Sequence, residues 1–275
     1  MGPNPKVEVS VDGRTLSVSN LDKVLYPEAG FTKAEVIDYY LRIAPVLLAH
    51  LADWCGRGCE IVLVDGGSDD DSVARARAAG FRVVAAERGR ARQMNAGARV
   101  CSGAILLFLH ADTRLPEAAD AMVRAALAGA PNGQAAQSPG DSSRALPSRR
   151  ARNTPAWGRF DVCIDGRPRM LRVVAALMNL RSRLTGIATG DQALFVRREI
   201  FEAVGGFPEQ PLMEDVELSR RLLRVSRPAC LRARVTTSGR RWEERGVWRT
   251  IFLMWRLRWA YWRGVAAERL AEAYR

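Results

Sequence analysis

Residues 61–64, Ile-Val-Leu-Val, form a short apolar run that ends abruptly in Asp65, Gly66, Gly67 and Ser68, followed by three aspartates at 69–71. The run is too short for a helix and rich in branched side chains, so it predicts a strand emptying into a polar turn. With that strand taken as 60–64, comparable patterns downstream predict a helix at about 69–79, a strand at 81–85, a helix at 90–100, a strand at 104–109 and a helix at 116–128. This is the rhythm of parallel strands covered by connecting helices, an α/β fold. Upstream, residues 7–19 alternate apolar and polar around Asp12 and Gly13, which predicts a β-hairpin. The apolar spacing from Phe31 and Thr32 to about residue 54 predicts a helix capped by Thr32. Residues 129–156 are rich in Pro, Gly, Ser and Arg and lack a period, so a mobile loop is expected there.

Polar residues at the strand ends carry the candidate chemistry. Gly66 and Gly67 would let a ligand approach the backbone, and Asp65 could accept hydrogen bonds from a sugar or base. A simple turn with Ser68 or Asp69 as a helix cap is an equally good reading of those residues. The run FLHADT at 108–113 sets His110 and Asp112 at another strand end. A carboxylate there suits Mg2+ or Mn2+ on a diphosphate, whereas His110 reads as a ligand, a ribose contact or, preferably, a packed or hydrogen-bonded imidazole. Between them, ERGRARQMNAGA at 87–98 offers Arg88, Arg90 and Arg92 to phosphates and Gln93 and Asn95 to a base or sugar. A basic helix face is the plainer alternative. Further on, Gly205, Gly206 and Pro208 force a turn before Glu214 and Asp215, acids that open an apolar-periodic helix.

The 275-residue chain, 48% hydrophobic, is long enough for one large α/β domain or a domain with an appendage. Its net charge of +12 favours acidic partners: nucleotide phosphates, anionic lipid or nucleic acid. Cysteines at 55, 59, 101, 163 and 230 show neither zinc spacing nor a disulfide framework. The start lacks a signal-peptide core, and no apolar stretch approaches about 18 residues, so a cytoplasmic protein is expected. Lysines occur only at 6, 23 and 33, and the chain beyond them uses arginine alone, which marks the first part as foreign to the rest. Near the end, residues 247–264 interleave Trp, Phe and Tyr with arginines. Such a helix could lie on an anionic membrane surface, making the protein peripheral on the inner face of the membrane. The favoured expectation is that its aromatic stripe packs on the domain and only the arginines show.

Two resemblances follow from these motifs. The opening segment, VSNLDKVLYPEAGFTKAEVIDYYLRIAPVLLAHL, resembles the start of the polymerase domain of bacterial ATP-dependent DNA ligase D, over about residues 6–51. That resemblance implies a DNA 5′-phosphate contact for Lys23 and Lys33, although solvated surface lysines are the simpler reading. The later metal-binding aspartates of that domain are not found, so its polymerase activity is not implied.

From about residue 52 onward the ordered set VDGGSDDD, RGRARQMNAGA, FLHADT, TGDQALFVRR, GGFPEQPLMEDVELSRRL and GRRW resembles family-2 glycosyltransferases with the GT-A fold. The similarity is greatest to a bacterial subgroup named for arsenosugar biosynthesis. It implies a Rossmann-like sheet with helices on both faces, a nucleotide-sugar donor (a UDP-sugar expected), an unidentified hydroxyl acceptor, Mg2+ or Mn2+, and inversion at the anomeric carbon. Residues 52–275 would form this domain and residues 1–51 a separate N-terminal segment.

By the same resemblance Asp65, Gly66, Gly67, Arg88, Arg92, Gln93 and Asn95 lie at the nucleotide, with Asp112 at the metal and diphosphate. Asp215 is the base, assisted by Glu214. Gly190, Asp191 and Gln192 lie near donor sugar or acceptor, and Arg241 and Trp242, with Arg240, near the diphosphate or a closing loop. One departure matters: no Pro-x-x-Asn-Glu strand precedes Ile61. Thr15–Ser19 is the expected substitute strand, with helix 32–54 as its crossover. A catalytically inactive fusion and a DNA-end-binding fragment are the alternatives; nucleic acid is not the expected partner.

Overall fold

The computed structural model describes residues 6–11, 14–19, 24–26, 31–32, 51, 53–68, 72–128 and 154–274. Two hairpins come first: β1 (Lys6–Val11) with β2 (Arg14–Ser19), and β3 (Val24–Tyr26) with β4 (Phe31–Thr32), each antiparallel. Next come β5 (Val62–Asp65), α1 (Ser72–Ala78), β6 (Arg82–Ala85), α2 (Arg90–Val100), β7 (Ile105–Leu107), β8 (Thr113–Arg114) and α3 (Ala119–Ala128). The later part holds β9 (Trp157–Asp165), α4 (Met170–Thr185), β10 (Phe195–Arg197), α5 (Arg198–Ala203) and α6 (Glu214–Leu223). It ends with β11 (Ala229–Ser238), α7 (Arg240–Arg245), α8 (Val247–Trp262) and α9 (Ala267–Tyr274). The strands and helices expected between residues 60 and 128 are all present, within a few residues of their expected ends.

The main sheet has the order β7-β10-β9-β11-β8 and is mixed. Strands β9 and β11 run parallel, while β10 lies antiparallel to β7 and β9, and β8 antiparallel to β11. Among the described residues the parallel rhythm read from the sequence therefore holds for β5–β6 and β9–β11 alone. Gly158 explains how β9 and its neighbours close up: a Cβ there would meet the Ala229 carbonyl at 2.4 Å and the Phe195 ring at 2.5 Å. Trp157, Phe160, Phe195 and Val235 are wholly buried around this strand, and α3 and α4 cover it with Leu127 and Leu171. Asn179 ties α4 to β9 by donating to the Val162 carbonyl at 3.0 Å and accepting its N–H at 2.8 Å.

Strand β2 does not replace a central strand. It pairs with β1 from Lys6↔Ser19 to Val11↔Arg14 and, among the described residues, with no strand of the main sheet. A two-residue connection makes this local pairing inexpensive to close, whereas joining the sheet would need a long crossover. Phe31 and Thr32 are likewise strand rather than the start of a helix; residues 33–50 lie outside the described residues, as does most of the expected loop at 129–156.

In consequence β5 pairs, among the described residues, with β6 alone. The Asp65 carbonyl accepts from Ala86 on the β6 side at 2.9 Å, so the Val64 carbonyl, one residue earlier, points to the opposite edge. There it accepts the Gln93 side-chain amide at 3.2 Å. Glu60 braces the same region by accepting from Ser102 N–H at 2.6 Å and Ser102 Oγ at 2.8 Å.

The last long helix departs from expectation. Helix α8 buries Thr250 and Leu257, whereas Trp248, Phe252, Trp255, Trp259 and Trp262 are exposed. Its packing face is aliphatic: Leu257 joins Leu212, Met213 and Leu270 in a small core beneath the start of α6.

Candidate functional site

Three chain segments meet at one end of the main sheet. The chain leaves β7 through Phe108 and Leu109 to His110, whose carbonyl accepts the Thr113 N–H at 3.0 Å, a turn that leaves Asp112 exposed. A 3-10 turn at Gly190–Gln192 precedes β10 and is closed by a capping box between Thr189 and Gln192. Finally, α6 starts with Glu214 and Asp215 directly after Met213, which is buried and holds φ at 64°. A non-glycine residue in that region is strained, and the packing of Met213 against Leu257 and Leu270 is what holds it there.

Asp215 binds these segments together. Its Oδ2 accepts the Gly190 N–H at 2.9 Å and its Oδ1 accepts the Val216 N–H at 2.7 Å. Across Gly190 lies His110, so close that a Cβ on the glycine would sit 2.4 Å from the ring carbon Cε1. His110 Nδ1 is 3.5 Å from Asp191 Oδ1. Burial opposes a charged imidazole, but the hydrogen bond and charge of Asp191, with some help from Asp112, outweigh it and raise the His110 pKa above its ordinary value. Asp191 is 46% exposed yet ringed by protein, as a group in a cleft wall is. Desolvation pushes its carboxyl up, while His110, Arg90 and Arg258 hold it below the usual range.

Glu214 is buried, and burial first and Asp215 second push its carboxyl up. Arg90, at the start of α2, approaches it to 4.0 Å. Desolvation works against the Arg90 charge, but Tyr274, Glu214, Asp191 and Asp215 together hold its pKa above the ordinary guanidinium value. Met94, Phe108, Leu194 and Phe207 complete a small cavity with His110, Gly190, Glu214 and Asp215.

The β5 end is a turn in its own right. Asp65 Oδ2 accepts the Gly67 N–H at 3.0 Å, and Oδ1 accepts the Ser68 N–H at 3.1 Å and the Ser68 hydroxyl at 2.5 Å. The Ser68 hydroxyl bond is the main reason that its carboxyl lies below the ordinary value. Gly66 makes room for Gln93, whose Nε2 would lie 2.8 Å from a Cβ there.

Most of the other expected contact residues have partners within the protein. Asn95 donates to the Phe207 carbonyl at 2.8 Å and accepts its N–H at 3.0 Å. Arg92 pairs with Glu87 at 2.5 Å and Glu209 at 3.6 Å, and Arg88 is exposed. Gln192 is wholly buried, accepting the Thr189 N–H at 3.2 Å. Arg241 hydrogen-bonds the Tyr274 hydroxyl and lies over its ring at 3.9 Å, while Trp242 packs on the main core. Lys23 and Lys33 lie outside the described residues.

Among the described residues no group of three His, Cys, Asp or Glu side chains is arranged to hold a metal ion. Asp112 fits a different mode, in which a hard divalent cation takes one carboxylate and completes its shell with substrate phosphates and water. It is exposed, and its Oδ1 has only a long 3.4 Å contact from the Thr113 hydroxyl.

Sequence reasoning missed the left-handed residues Met213 and Ala193, which flank the site from two sides. No pattern in residue types announces them, since Gly or Asn is the usual choice for such backbone. It also missed Arg181, whose Nε and Nη2 are buried without a hydrogen-bond partner. Desolvation, then the neighbouring charge of Arg258, lowers its pKa to about 10.

Comparison with known proteins bears on this arrangement. The family model for glycosyl transferase family 2 matches residues 37–204. Separately, 35 residues (13% of this chain) are 63% identical to the multifunctional non-homologous end joining protein LigD of Mycolicibacterium smegmatis, covering 5% of that protein. A 43-residue stretch is 44% identical to the Mycobacterium tuberculosis LigD, covering 16% of this chain and 6% of that one. Among solved structures, S. aureus TarS 1-349 is 16% identical with a TM-score of 0.44, over 66% of this chain and 51% of that one. The mannosyltransferase PcManGT from Pyrobaculum calidifontis, in complex with GDP-Man and Mn2+, is 20% identical with a TM-score of 0.40, over 73% and 51%. The chain thus spans about half the length of these structures and a small fraction of the curated relatives. The family match covers more than half of the chain and takes in β5, the His110–Asp112 turn and the Gly190–Gln192 turn: the chain belongs to glycosyl transferase family 2.

Proposed function

We propose that this chain is an inverting, divalent-metal-dependent glycosyltransferase that moves a sugar from a nucleoside-diphosphate donor, a UDP-sugar by expectation, to an acceptor hydroxyl. The observation that carries the reading is the Asp215 carboxylate, oriented by two backbone N–H groups beside a cavity that His110 also lines. In this reading Asp215 takes the proton of the acceptor hydroxyl as its oxygen attacks the anomeric carbon. The bond from that carbon to the diphosphate oxygen breaks on the opposite face, and its electron pair leaves with the diphosphate. Inversion follows from this single displacement.

Charge on the departing diphosphate needs a counterpart. Asp112 would hold Mg2+ or Mn2+, which when bound neutralises phosphate oxygens. Arg90 adds positive charge from this chain's own residues, beside Glu214 at 4.0 Å. Glu214, pushed up by burial, keeps its proton to higher pH than an ordinary glutamate and so limits negative charge beside Asp215. Asp65 and the Gly66–Gly67 turn would form the nucleoside wall. Residues 1–51 are read as an added segment ahead of the transferase domain at 52–275, and no step of the reaction calls on Lys23 or Lys33.

Release of nucleoside diphosphate from a panel of sugar nucleotides, with and without a chelator, tests the proposal. Metal-dependent release from at least one donor supports it. No release from any donor, with hydroxyl acceptors supplied, counts against it.

A further inference from the structure

The aromatic face of α8 is the largest feature that the proposed chemistry leaves unused. Trp248, Phe252, Trp255, Trp259 and Trp262 recur at spacings of four and three, which aligns them on one side of a helix. Each is between 60 and 79% exposed. Thr250 and Leu257, the buried residues of the helix, lie on the opposite side. Arg249, Arg256 and Arg263 recur every seven residues along one flank of the aromatic stripe, and all three are exposed. No acidic residue interrupts the helix.

A second exposed apolar stripe lies on another helix. On α4, Val173, Leu177, Leu180 and Leu184 repeat at spacings of four, three and four and are at least 49% exposed. This helix and the first turns of α8 share one core cluster, through Val174 and Met178 on one side and Val247 and Ile251 on the other.

We propose that the α8 stripe seats the protein on the surface of an anionic phospholipid bilayer. Tryptophan suits the boundary between headgroups and acyl chains, where its ring is dry and its N–H is wet. Arginines beside it meet lipid phosphates, and the whole chain, at +12, is drawn to a negative surface. A second copy of this chain is a poorer occupant, because a two-fold contact would bring identical arginine rows together. The contact is a surface one: among the described residues no helix is long and apolar enough to cross a membrane.

Leu257, on the side of α8 away from the stripe, packs with Met213, the residue directly before Glu214 and Asp215. Seating α8 would therefore leave that helix, roughly 10 Å across, between the bilayer and the start of α6. An acceptor hydroxyl presented at the membrane surface is the consequence, and that clause rests on the transfer reading above.

Flotation of the full chain with vesicles, without any sugar donor, tests the seating independently of catalysis. The expected result is capture by phosphatidylglycerol-containing vesicles at low salt and much weaker capture by phosphatidylcholine alone or at high salt. Trp255→Ser with Trp259→Ser, and separately Arg249→Glu with Arg256→Glu and Arg263→Glu, should each lower capture by roughly tenfold or more. Circular dichroism of these surface variants should match the parent. Absence of capture at low salt, or capture equal in the tryptophan variant, overturns the proposal. So does a stable dimer, by light scattering, that dissociates on the same tryptophan changes.

Discussion

Asp215 Oδ2 accepts the backbone N–H of Gly190 at 2.9 Å, joining the start of α6 to a turn 25 residues earlier in sequence. The bond fixes a carboxylate where two chain segments meet, and Gly190 is also the residue over which His110 packs. Removing the charge while keeping the shape isolates the chemical role. Asp215→Asn should keep donor binding within about twofold and lower transfer by roughly a hundredfold or more, the usual worth of a positioned base. Parallel measurement of donor affinity and single-turnover transfer checks it; equal losses in both would assign Asp215 to binding instead.

Gly190→Ala tests the crowding itself. The new methyl would lie 2.4 Å from His110 Cε1 and 2.5 Å from Nε2, so the ring must move. Overpacking of this kind costs about 1–3 kcal/mol, and the displaced ring should lose its contact with Asp191. Urea unfolding and the imidazole NMR titration report the two effects; an unshifted titration would mean that the ring had room.

The His110–Asp191 pair gives a pH signature. The His110 pKa is raised on folding, so its stabilisation is complete below the ordinary imidazole value of about 6.5 and is lost as pH rises through the raised value. The Asp191 pKa is depressed, so its stabilisation is present above about 3.9 and is lost as pH falls through the lowered value. Both describe one interaction, strongest between those limits. Melting of the parent and of Asp191→Asn across this range should differ most near pH 5 and converge above neutrality. A difference that stays constant to alkaline pH would contradict the pairing.

Asn95 separates scaffold from ligand contact. Its amide makes both backbone hydrogen bonds of Phe207, so Asn95→Ala should destabilise the fold by about 1–3 kcal/mol. Nucleotide affinity of the folded fraction should be unchanged. A specific loss of affinity without loss of stability would restore the base or sugar role that its residue type suggests.

The sequence made the local elements legible because strand and helix periods differ and Gly, Asp and Ser mark the ends. Asp65 and Asp112 were legible because each follows an apolar run, and Asp215 because it opens an apolar-periodic helix after a Gly/Pro turn. Long-range placement was not. Nothing in residues 14–19 says that their strand stays in its own hairpin, or that Gln93 meets the open edge of β5. The outward aromatic face of α8 was misjudged because a stripe at helical spacing has the same pattern whether it faces a core or a bilayer. Met213 and Ala193 adopt backbone that their side chains disfavour, and only tertiary packing reveals it.

The proposed transfer calls for a metal-dependent nucleotide-sugar site that draws on Asp65, Asp112 and Asp215. Calorimetric titration of the full chain and of Asp112→Ala with UDP and GDP, each with and without Mn2+, tests for that site. The predicted result is nucleoside-diphosphate binding that requires Mn2+, prefers UDP and falls by at least roughly tenfold in Asp112→Ala. Binding that ignores both Mn2+ and Asp112, or no binding of either nucleotide, would contradict it.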